Sequence, residues 1–586
     1  MKSTSKKSLP QNLSYQKTGY VQFPAIGSAV ILLVIMYLAG NGQVVNAQSS
    51  MAATPHNLTP SGPGTVKETA ASGMCVFCHT PHNANPTRGL WNRELPGVTY
   101  KLYQSSTLQA VIDQPTGDSR LCLSCHDGLL ALGNVRVPAD NNFSLGPLTG
   151  GNSLGTDLSD DHPVSLHYDN SLAALQGELA DPMNLEQPIK LDENQDLQCS
   201  TCHDPHESVI PKFLRMDNRF GKLCTVCHTL PLWNDSSHAT SSATWTGTGS
   251  GPWPQDGYTT VAENACLNCH RPHGAGHPEW LLAQSDEPGN CINCHDGESA
   301  EKDIKSQFLK TFHHPIENNQ GTHQPNESPA VMQPHVSCSD CHDPHATNSG
   351  VSTDLAISGT QRNVSGVTVS GSVAKPATFK YEVCLKCHGL QEPATLGIIR
   401  AGGTRNIRLK IDPNNPSYHP VAAQGKNQTI NGLDPEFTSS SQIDCIDCHN
   451  NDEWTAGGTQ PRGPHGSNYE PILTKQYQAG DPATESTADY ALCYSCHERT
   501  TLLTSGNFPH NSHVVTDQAS CAVCHDAHGS RDNKFLIDFM LQSKLGAPVV
   551  TDSSGGQLQF VPDPVNPGHG SCSLTCHGHD HNPSSY

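Results

Sequence analysis

Residues 74–82 read Met-Cys-Val-Phe-Cys-His-Thr-Pro-His, and the centre of this stretch, Cys-x-x-Cys-His, returns along the whole chain. All 24 cysteines fall into twelve pairs, and each pair is followed directly by His. Eleven pairs enclose two residues and the twelfth encloses three. In chain order, the motifs are Cys75/Cys78/His79, Cys122/Cys125/His126, Cys199/Cys202/His203, Cys224/Cys227/His228, Cys266/Cys269/His270, Cys291/Cys294/His295, Cys338/Cys341/His342, Cys384/Cys387/His388, Cys445/Cys448/His449, Cys493/Cys496/His497, Cys521/Cys524/His525 and Cys572/Cys576/His577.

This spacing is typical of covalent haem attachment. Two thiols add to the two vinyl groups of one haem, and the next His becomes a ligand of its iron. Zinc sites use Cys-x-x-Cys but need no His after every second cysteine. A disulfide framework has irregular spacing, and a thioredoxin-like motif occurs once, in a βαβ setting. We therefore expect twelve c-type haems, each with iron bound to a proximal His.

The remaining histidines are numerous enough to supply a second ligand to every iron. Of 33 His, 21 are not proximal, whereas only eight Met are present, so systematic His/Met ligation is excluded. Two imidazoles per iron favour low reduction potentials. Five candidates lie in Cys-His-x-x-His motifs: His82, His206, His273, His345 and His528. Three precede proline, namely His162, His314 and His419, and three lie near the last motifs, namely His465, His510 and His581. His238 is a further candidate. Because a His so close to a proximal His cannot reach the same iron, the Cys-His-x-x-His group is expected to ligate neighbouring haems.

The composition predicts a fold that depends on these groups. Hydrophobic residues make up 35% of the chain, with 50 Gly and 43 Pro, too few apolar side chains for an ordinary core. We expect mostly irregular coil with short helices and few strands, wrapped round a chain of twelve stacked haems. Periodicity predicts helices over 101–112, 171–180, 302–312 and 534–545, and a hairpin over 364–374.

The chain divides by composition and motif spacing. A basic start, the apolar run 25–38 and Val45-Asn46-Ala47 predict a signal peptide over 1–47, although the long basic region leaves an uncleaved anchor open. We then expect haems 1–4 over 48–233, a linker over 234–260, haems 5–8 over 261–432 and haems 9–12 over 433–586. The signal peptide places the mature chain in the periplasm or outside the cell as an expectation, and no later segment is expected to span a membrane.

The charge limits the partners. The formal net charge is −21, which argues against nucleic acid, whose phosphates need Lys and Arg. A basic redox partner or a mineral surface remains open, although most acidic surfaces only confer solubility.

The stretch 74–82, the repeated Cys-His-Asp-Pro-His and the His-Pro-Val steps resemble the doubled-CXXCH multihaem c-type cytochromes of bacteria that respire metals and other extracellular acceptors. The resemblance implies bis-His haems in a continuous chain at near-contact distances, redox partners outside the cytoplasm and, in some relatives, self-polymerisation into filaments.

The leading hypothesis is therefore an electron-transfer protein without catalytic residues of its own. The alternative is a multihaem reductase of a small nitrogen or sulfur oxyanion, which needs one iron with an open position. No Cys-x-x-Cys-Lys motif is present, and the His supply is sufficient to close every iron. A storage or structural haem protein would have the same motifs.

Overall fold

The structure is a computed structural model that describes residues 50–586, except 138–142, 247–250, 254–256, 319–323, 325–326, 334, 353–354, 391–397, 399, 402–403 and 428–429. The expected signal peptide over 1–47 lies outside the described residues. No described helix is long and apolar enough to cross a membrane.

Most of the described chain is coil with short helices, as the composition predicts. The α-helices, α1 to α12, are Gly117–His126, Asn170–Gln176, Cys199–Cys202, Lys222–Thr225, Ser237–Thr240, Val261–Asn264, Glu287–Ile292, Lys380–His388, Ile407–Lys410, Cys445–Cys448, Arg499–Thr504 and Cys521–Cys524. Short 3₁₀ turns cover Met51–Ala53, Met74–Phe77, Gly150–Asn152, Pro182–Asn184, Pro211–Phe213, Arg219–Gly221, Trp233–Asp235, Ala265–Asn268, Glu279–Leu281, Lys305–Leu309, Ile316–Asn318, Cys338–Asp340, Gly359–Gln361 and Cys493–Ser495, and Asn511–Thr516 forms a π turn.

The strands β1 to β12 are Leu166–His167, Asp196–Leu197, Phe312–His313, Gly366–Val367, Val373–Ala374, Ser417–Tyr418, Gly466–Ser467, Gly529–Ser530, Val550–Thr551, Gln559–Pro562, Gly570–Cys576 and His579–Ser585. All pairings are antiparallel. The strands β9 to β12 form one four-stranded sheet, and the others pair in twos: β1–β2, β3–β7, β4–β5 and β6–β8.

Two of the two-residue pairs join distant parts of the chain and bring histidines together. The β3–β7 pair sets Phe312 opposite Ser467 and His313 opposite Gly466, with His314 directly after β3 and His465 directly before β7. The β6–β8 pair sets Tyr418 opposite Gly529, beside His419 and His528. These short pairs therefore position candidate ligands more than 100 residues apart in sequence.

The local predictions were partly right. The hairpin over 364–374 is confirmed as β4–β5, and α2 confirms a helix within 171–180. Within 302–312, a 3₁₀ turn over Lys305–Leu309 forms in place of the expected helix, and strand β3 begins at Phe312. The helices over 101–112 and 534–545 are wrong, because both segments are extended or turns.

Apolar side chains pack in several small clusters rather than in one core. The largest contains Val523, Phe539, Leu541, Phe560 and Leu574 and is packed against paired cysteines of the last two motifs. A second cluster, around α8, contacts a cysteine of the ninth motif. Each of these clusters thus borders a predicted haem attachment.

Candidate haem-binding sites

The eleven Cys-x-x-Cys-His motifs share one backbone shape. Each cysteine pair lies in one helical or 3₁₀ turn, and the backbone N–H of the His bonds to the carbonyl of the first cysteine, at 2.8 Å in His79 and 3.0 Å in His203. A helical turn brings residues three and four apart onto one face. Both thiols and the imidazole are therefore available to one ring. None of the 24 cysteines, all within the described residues, forms a disulfide.

Imidazole rings from different parts of the chain lie in pairs. Eight proximal histidines each have a second imidazole with ring centroids 6.1–6.3 Å apart. The pairs, proximal residue first, are His79/His206, His126/His56, His203/His273, His228/His162, His270/His345, His295/His238, His342/His465 and His449/His528.

This separation fits a metal ion between two rings. A metal–imidazole bond is about 2 Å long, and the ring centre lies about 1 Å behind the ligating nitrogen, so two opposed ligands have centres roughly 6 Å apart. Rings stacked directly on one another would be closer, as in the 4.3 Å contact between His56 and Phe213. The residues present therefore fit haem iron with two axial imidazoles.

Three further proximal histidines have a neighbouring imidazole identified by its electrostatic effect. Burial, and then the second imidazole, lowers the pKa of each proximal ring to about 4. The pairs are His388/His314, His497/His419 and His525/His510.

The second nitrogen of most of these rings is held by a hydrogen bond. The Nδ1 of His270 lies 2.8 Å from the carbonyl oxygen of Trp280, and that of His273 lies 3.0 Å from Oδ1 of Asp161. Nδ1–H donating to such a partner leaves Nε2 for the metal. The same carbonyl contact is made by His56, His79, His126, His162, His203, His238, His314, His342, His419, His449, His513 and His525.

Burial favours the neutral, metal-binding form of two of the paired rings, His465 and His228. Desolvation, followed by the charge of neighbouring rings, lowers the pKa of His465 to about 3 and that of His228 to about 4. At neutral pH both rings are unprotonated and can donate a lone pair.

Thiols of successive motifs are neighbours from one end of the chain to the other. At four steps the thiols hydrogen-bond across motifs, in Cys122/Cys199, Cys224/Cys266, Cys291/Cys338 and Cys384/Cys445. At the other seven steps, burial and the neighbouring thiol raise the pKa of the first-named residue, in Cys78/Cys125, Cys202/Cys227, Cys269/Cys294, Cys341/Cys384, Cys448/Cys496, Cys521/Cys493 and Cys524/Cys576. The attachment points therefore follow each other in space in the order of the sequence.

A continuous cavity of about 3970 Å³ runs along these attachment points. Cysteines of motifs three to twelve and the proximal histidines of motifs three to eleven line it. Ligand pockets usually measure about 300–1,000 Å³, and protein interiors do not leave larger voids unfilled. The size and the Cys/His lining fit a row of several porphyrin rings.

Some of the candidate ligands have a paired imidazole ring in the structure and others do not. Of the Cys-His-x-x-His group, four pair with the proximal His of the odd-numbered motif before their own, whereas exposed His82 has no ring contact among the described residues. Sequence reasoning missed His56 and His513 and left His238 as a lesser candidate. His56 lies outside any repeated motif, so no sequence signal identified it.

His577, the expected proximal ligand of the twelfth motif, has no second imidazole within ring-contact distance among the described residues, and His581 pairs instead with His513. Both nitrogens of His577 contact oxygen atoms, which sets this motif apart from the other eleven.

A buried polar cluster lies between the seventh and eighth attachment points. His335 Nε2 lies 3.2 Å from Oε1 of Glu327 and 3.5 Å from Oδ1 of Asp340. The ammonium of Lys386 lies 3.4 Å from the same Oδ1. A hydrogen bond with Asp340, opposed by desolvation, raises the pKa of His335 to about 9. Among the described residues, this is the one group of three side chains whose ligand atoms are close enough to share a metal ion.

Comparison with known proteins agrees with the motif analysis. A family model described as the doubled CXXCH motif matches residues 193–230 and 259–300. The chain thus carries the doubled CXXCH motif of multihaem c-type cytochromes, whose covalent haem c serves electron transfer. The search of curated proteins found no match.

Proposed function

We propose that this chain is a dodecahaem c-type cytochrome that conducts electrons through bis-His, low-potential haems outside the cytoplasm. The observation that carries the proposal is the ordered series of attachment points, each bordered by the next. Electron tunnelling decays exponentially with distance, so conduction requires that no step in such a series be long.

The protein supplies position and environment to each group. Bound haem iron provides a one-electron ferric/ferrous couple. Hydrogen bonds at Nδ1 fix the orientation of most of these imidazoles, and burial keeps His465 and His228 neutral. Because both axial positions would be filled by the protein, a small anion would have no open position at these irons. This supports electron transfer over the reductase of a nitrogen or sulfur oxyanion.

The test is to purify the exported protein and measure its intact mass and its ferric spin state. We expect a mass greater than the polypeptide by twelve iron porphyrins, and only low-spin haem by electron paramagnetic resonance. A redox titration should give potentials in the low range of bis-His haems. Fewer haems, or one high-spin haem per chain with catalytic reduction of nitrite or a sulfur oxyanion, would overturn the proposal.

Export and partners are part of the same proposal. We expect the mature chain to begin near Gln48 in a periplasmic or extracellular fraction and to pass electrons to redox proteins or extracellular acceptors. Mass spectrometry of the purified N-terminus and size measurement of secreted material test the cleavage and the self-polymerisation that the resemblance implies. Recovery of the protein only in the cytoplasm would contradict the proposal.

A further inference from the structure

A buried cation lies between the first two haem attachment points. The backbone N–H of Asn92 donates to the carbonyl oxygen of Cys78 at 2.8 Å, and the guanidinium of the next residue, Arg93, donates to the carbonyl oxygen of Ser124 at 3.3 Å. Cys78 belongs to the first motif, and Ser124 lies between the two cysteines of the second. Arg93 is therefore held between two successive members of the proposed haem row.

The charge of Arg93 is not neutralised by a carboxylate. The residue is 0% exposed, and its other hydrogen bonds go to the carbonyl oxygens of Ala131 and Leu132, at 2.8 and 2.7 Å. Among the described residues, its Nε has no hydrogen-bond partner, and no carboxylate lies within ion-pair distance of the guanidinium. Because arginine is not deprotonated in proteins, a full positive charge is buried at this step of the row.

Two lysines are also buried, and both are paired with carboxylates. The ammonium of Lys386 lies 3.4 Å from Oδ1 of Asp340, and that of Lys380 lies 3.1 Å from Oδ2 of Asp444. Burying an unpaired charge is unfavourable because the charge loses its hydration, so a buried cation usually has an acidic partner. Arg93 has no such partner in the part of the chain that the structure describes, and its field therefore acts on the groups around it.

The thiols of both motifs respond to this charge. Burial, and then a neighbouring thiol, raises the pKa of Cys78 to about 12, and burial also raises the pKa of Cys125, whereas the charge of Arg93 opposes the rise at both. The carboxylate of Asp127 acts against Arg93 at Cys125. No described carboxylate does so at Cys78. The effect of Arg93 is therefore least opposed at the first attachment point.

We propose that Arg93 raises the reduction potential of the haem at the first motif, and to a lesser extent that of the haem at the second, so that the first haem is the electron-collecting end of the row. Ferric haem carries one positive charge more than ferrous haem, and a fixed cation nearby therefore disfavours the ferric form. In each transfer, the ferrous iron of a later haem loses one electron and the ferric iron of the first gains it. This inference rests on the proposed function, because it assumes haems at these motifs.

The test is a spectroelectrochemical titration of full-length holoprotein variants whose haem content is checked by intact mass. Arg93→Met removes the charge, whereas Arg93→Lys keeps it at about pH 6, well below the usual pKa of lysine; both lose the guanidinium bonds to the carbonyls. Arg93→Met should lower the equilibrium constant for reduction of the highest-potential haem about tenfold, or 59 mV for one electron. Arg93→Lys should keep the wild-type curve, as should Arg88→Met, the matched control at a side chain that is 41% exposed. An unchanged curve in Arg93→Met, or equal shifts in the Met and Lys variants, would overturn the inference.

A second measurement does not depend on how the Arg93 variants fold. Alanine at both cysteines of the first motif removes the first haem, and the highest-potential step of the titration should disappear with it. Loss of a lower-potential step instead would refute the assignment of the collecting end. Fewer than twelve haems in the wild-type protein would contradict the proposed function itself, so the two failures are distinguishable.

Discussion

Replacing His273 with alanine removes an imidazole that the structure places opposite the proximal ligand of the third motif. The His203 and His273 ring centroids lie 6.2 Å apart, and their planes are inclined by 37°. No other imidazole lies within ring contact of His203 among the described residues. The variant should therefore leave one iron with a single protein ligand, while the cysteines still attach the haem.

Two magnitudes follow. One of twelve irons becomes five-coordinate, so about 8% of the ferric iron should be high-spin by quantified electron paramagnetic resonance. The carboxylate of Asp161, whose side chain is 8% exposed, loses its 3.0 Å contact with His273. Oδ1 then keeps only the 3.3 Å hydrogen bond that the backbone N–H of Gly274 donates, and such a loss at a buried acceptor costs about 1–3 kcal/mol. The free energy of unfolding, measured with denaturant, should fall by at least that amount, because the iron also loses one of its two protein ligands.

His82→Ala is the matched control, because His82 occupies the same position in a Cys-His-x-Pro-His motif. It is exposed and has no paired ring among the described residues. We expect no high-spin iron and a stability change within about 0.5 kcal/mol. A wholly low-spin His273→Ala, or a high-spin haem in His82→Ala, would refute the ligand order derived from the ring pairs.

Three other predictions concern different parts of the structure. Lys386→Met should lower the free energy of unfolding by about 3–5 kcal/mol, because it leaves the buried Asp340 carboxylate short of a cation. Lys302→Met, at an exposed ion pair, should lower it by at most about 1 kcal/mol. Equal losses in chemical denaturation would contradict the buried pair. Because its pKa is raised to about 9, His335 should contribute stability that is complete below about pH 6.5 and is lost as the pH rises through about 9. His335→Gln should remove this pH dependence of the denaturation midpoint. Alanine at both cysteines of the sixth motif should remove one haem and slow conduction through an electrode-bound film by more than an order of magnitude, because it interrupts the ordered series. The same change in the first motif, at one end of the series, should have a much smaller effect. Equal effects would argue against a single row of haems.

The failures of the sequence-based fold prediction have physical causes. In 101–112, the apolar residues do not serve one helix face: Leu102 packs with Tyr100, whereas Leu108 and Ile112 pack with Tyr103 in a separate cluster. In 534–545, the buried residues occur at every second position, which is the alternation of an extended chain. The hairpin over 364–374 was predictable because its turn and its paired residues are all local.

The candidate site was likewise predictable only in part, where its residues are close together in the sequence. The attachment motifs could be found from the sequence because eleven of them are one turn of backbone that carries its own thiols and imidazole, and the twelfth has nearly the same spacing. The second ligands depend on long-range packing, as with His56, which lies 149 residues from the carbonyl of Pro205 that its Nδ1 contacts. Such a residue has no sequence neighbour that would identify its role.

The imidazole pairs also bear on how this chain holds together with so little apolar surface. The predicted linker over 234–260 lies between the two members of the His203/His273 pair, and the predicted boundary near 432 lies between those of His342/His465. Each such pair would make one iron a bridge between two of the predicted segments. Metal binding that needs ligands from two segments contributes directly to folding free energy. The haems would therefore fill the cavity and also cross-link successive parts of the chain. Because the second ligand in these two pairs comes from a later segment than the proximal His, the ligation that orders the electron path would also hold the fold together.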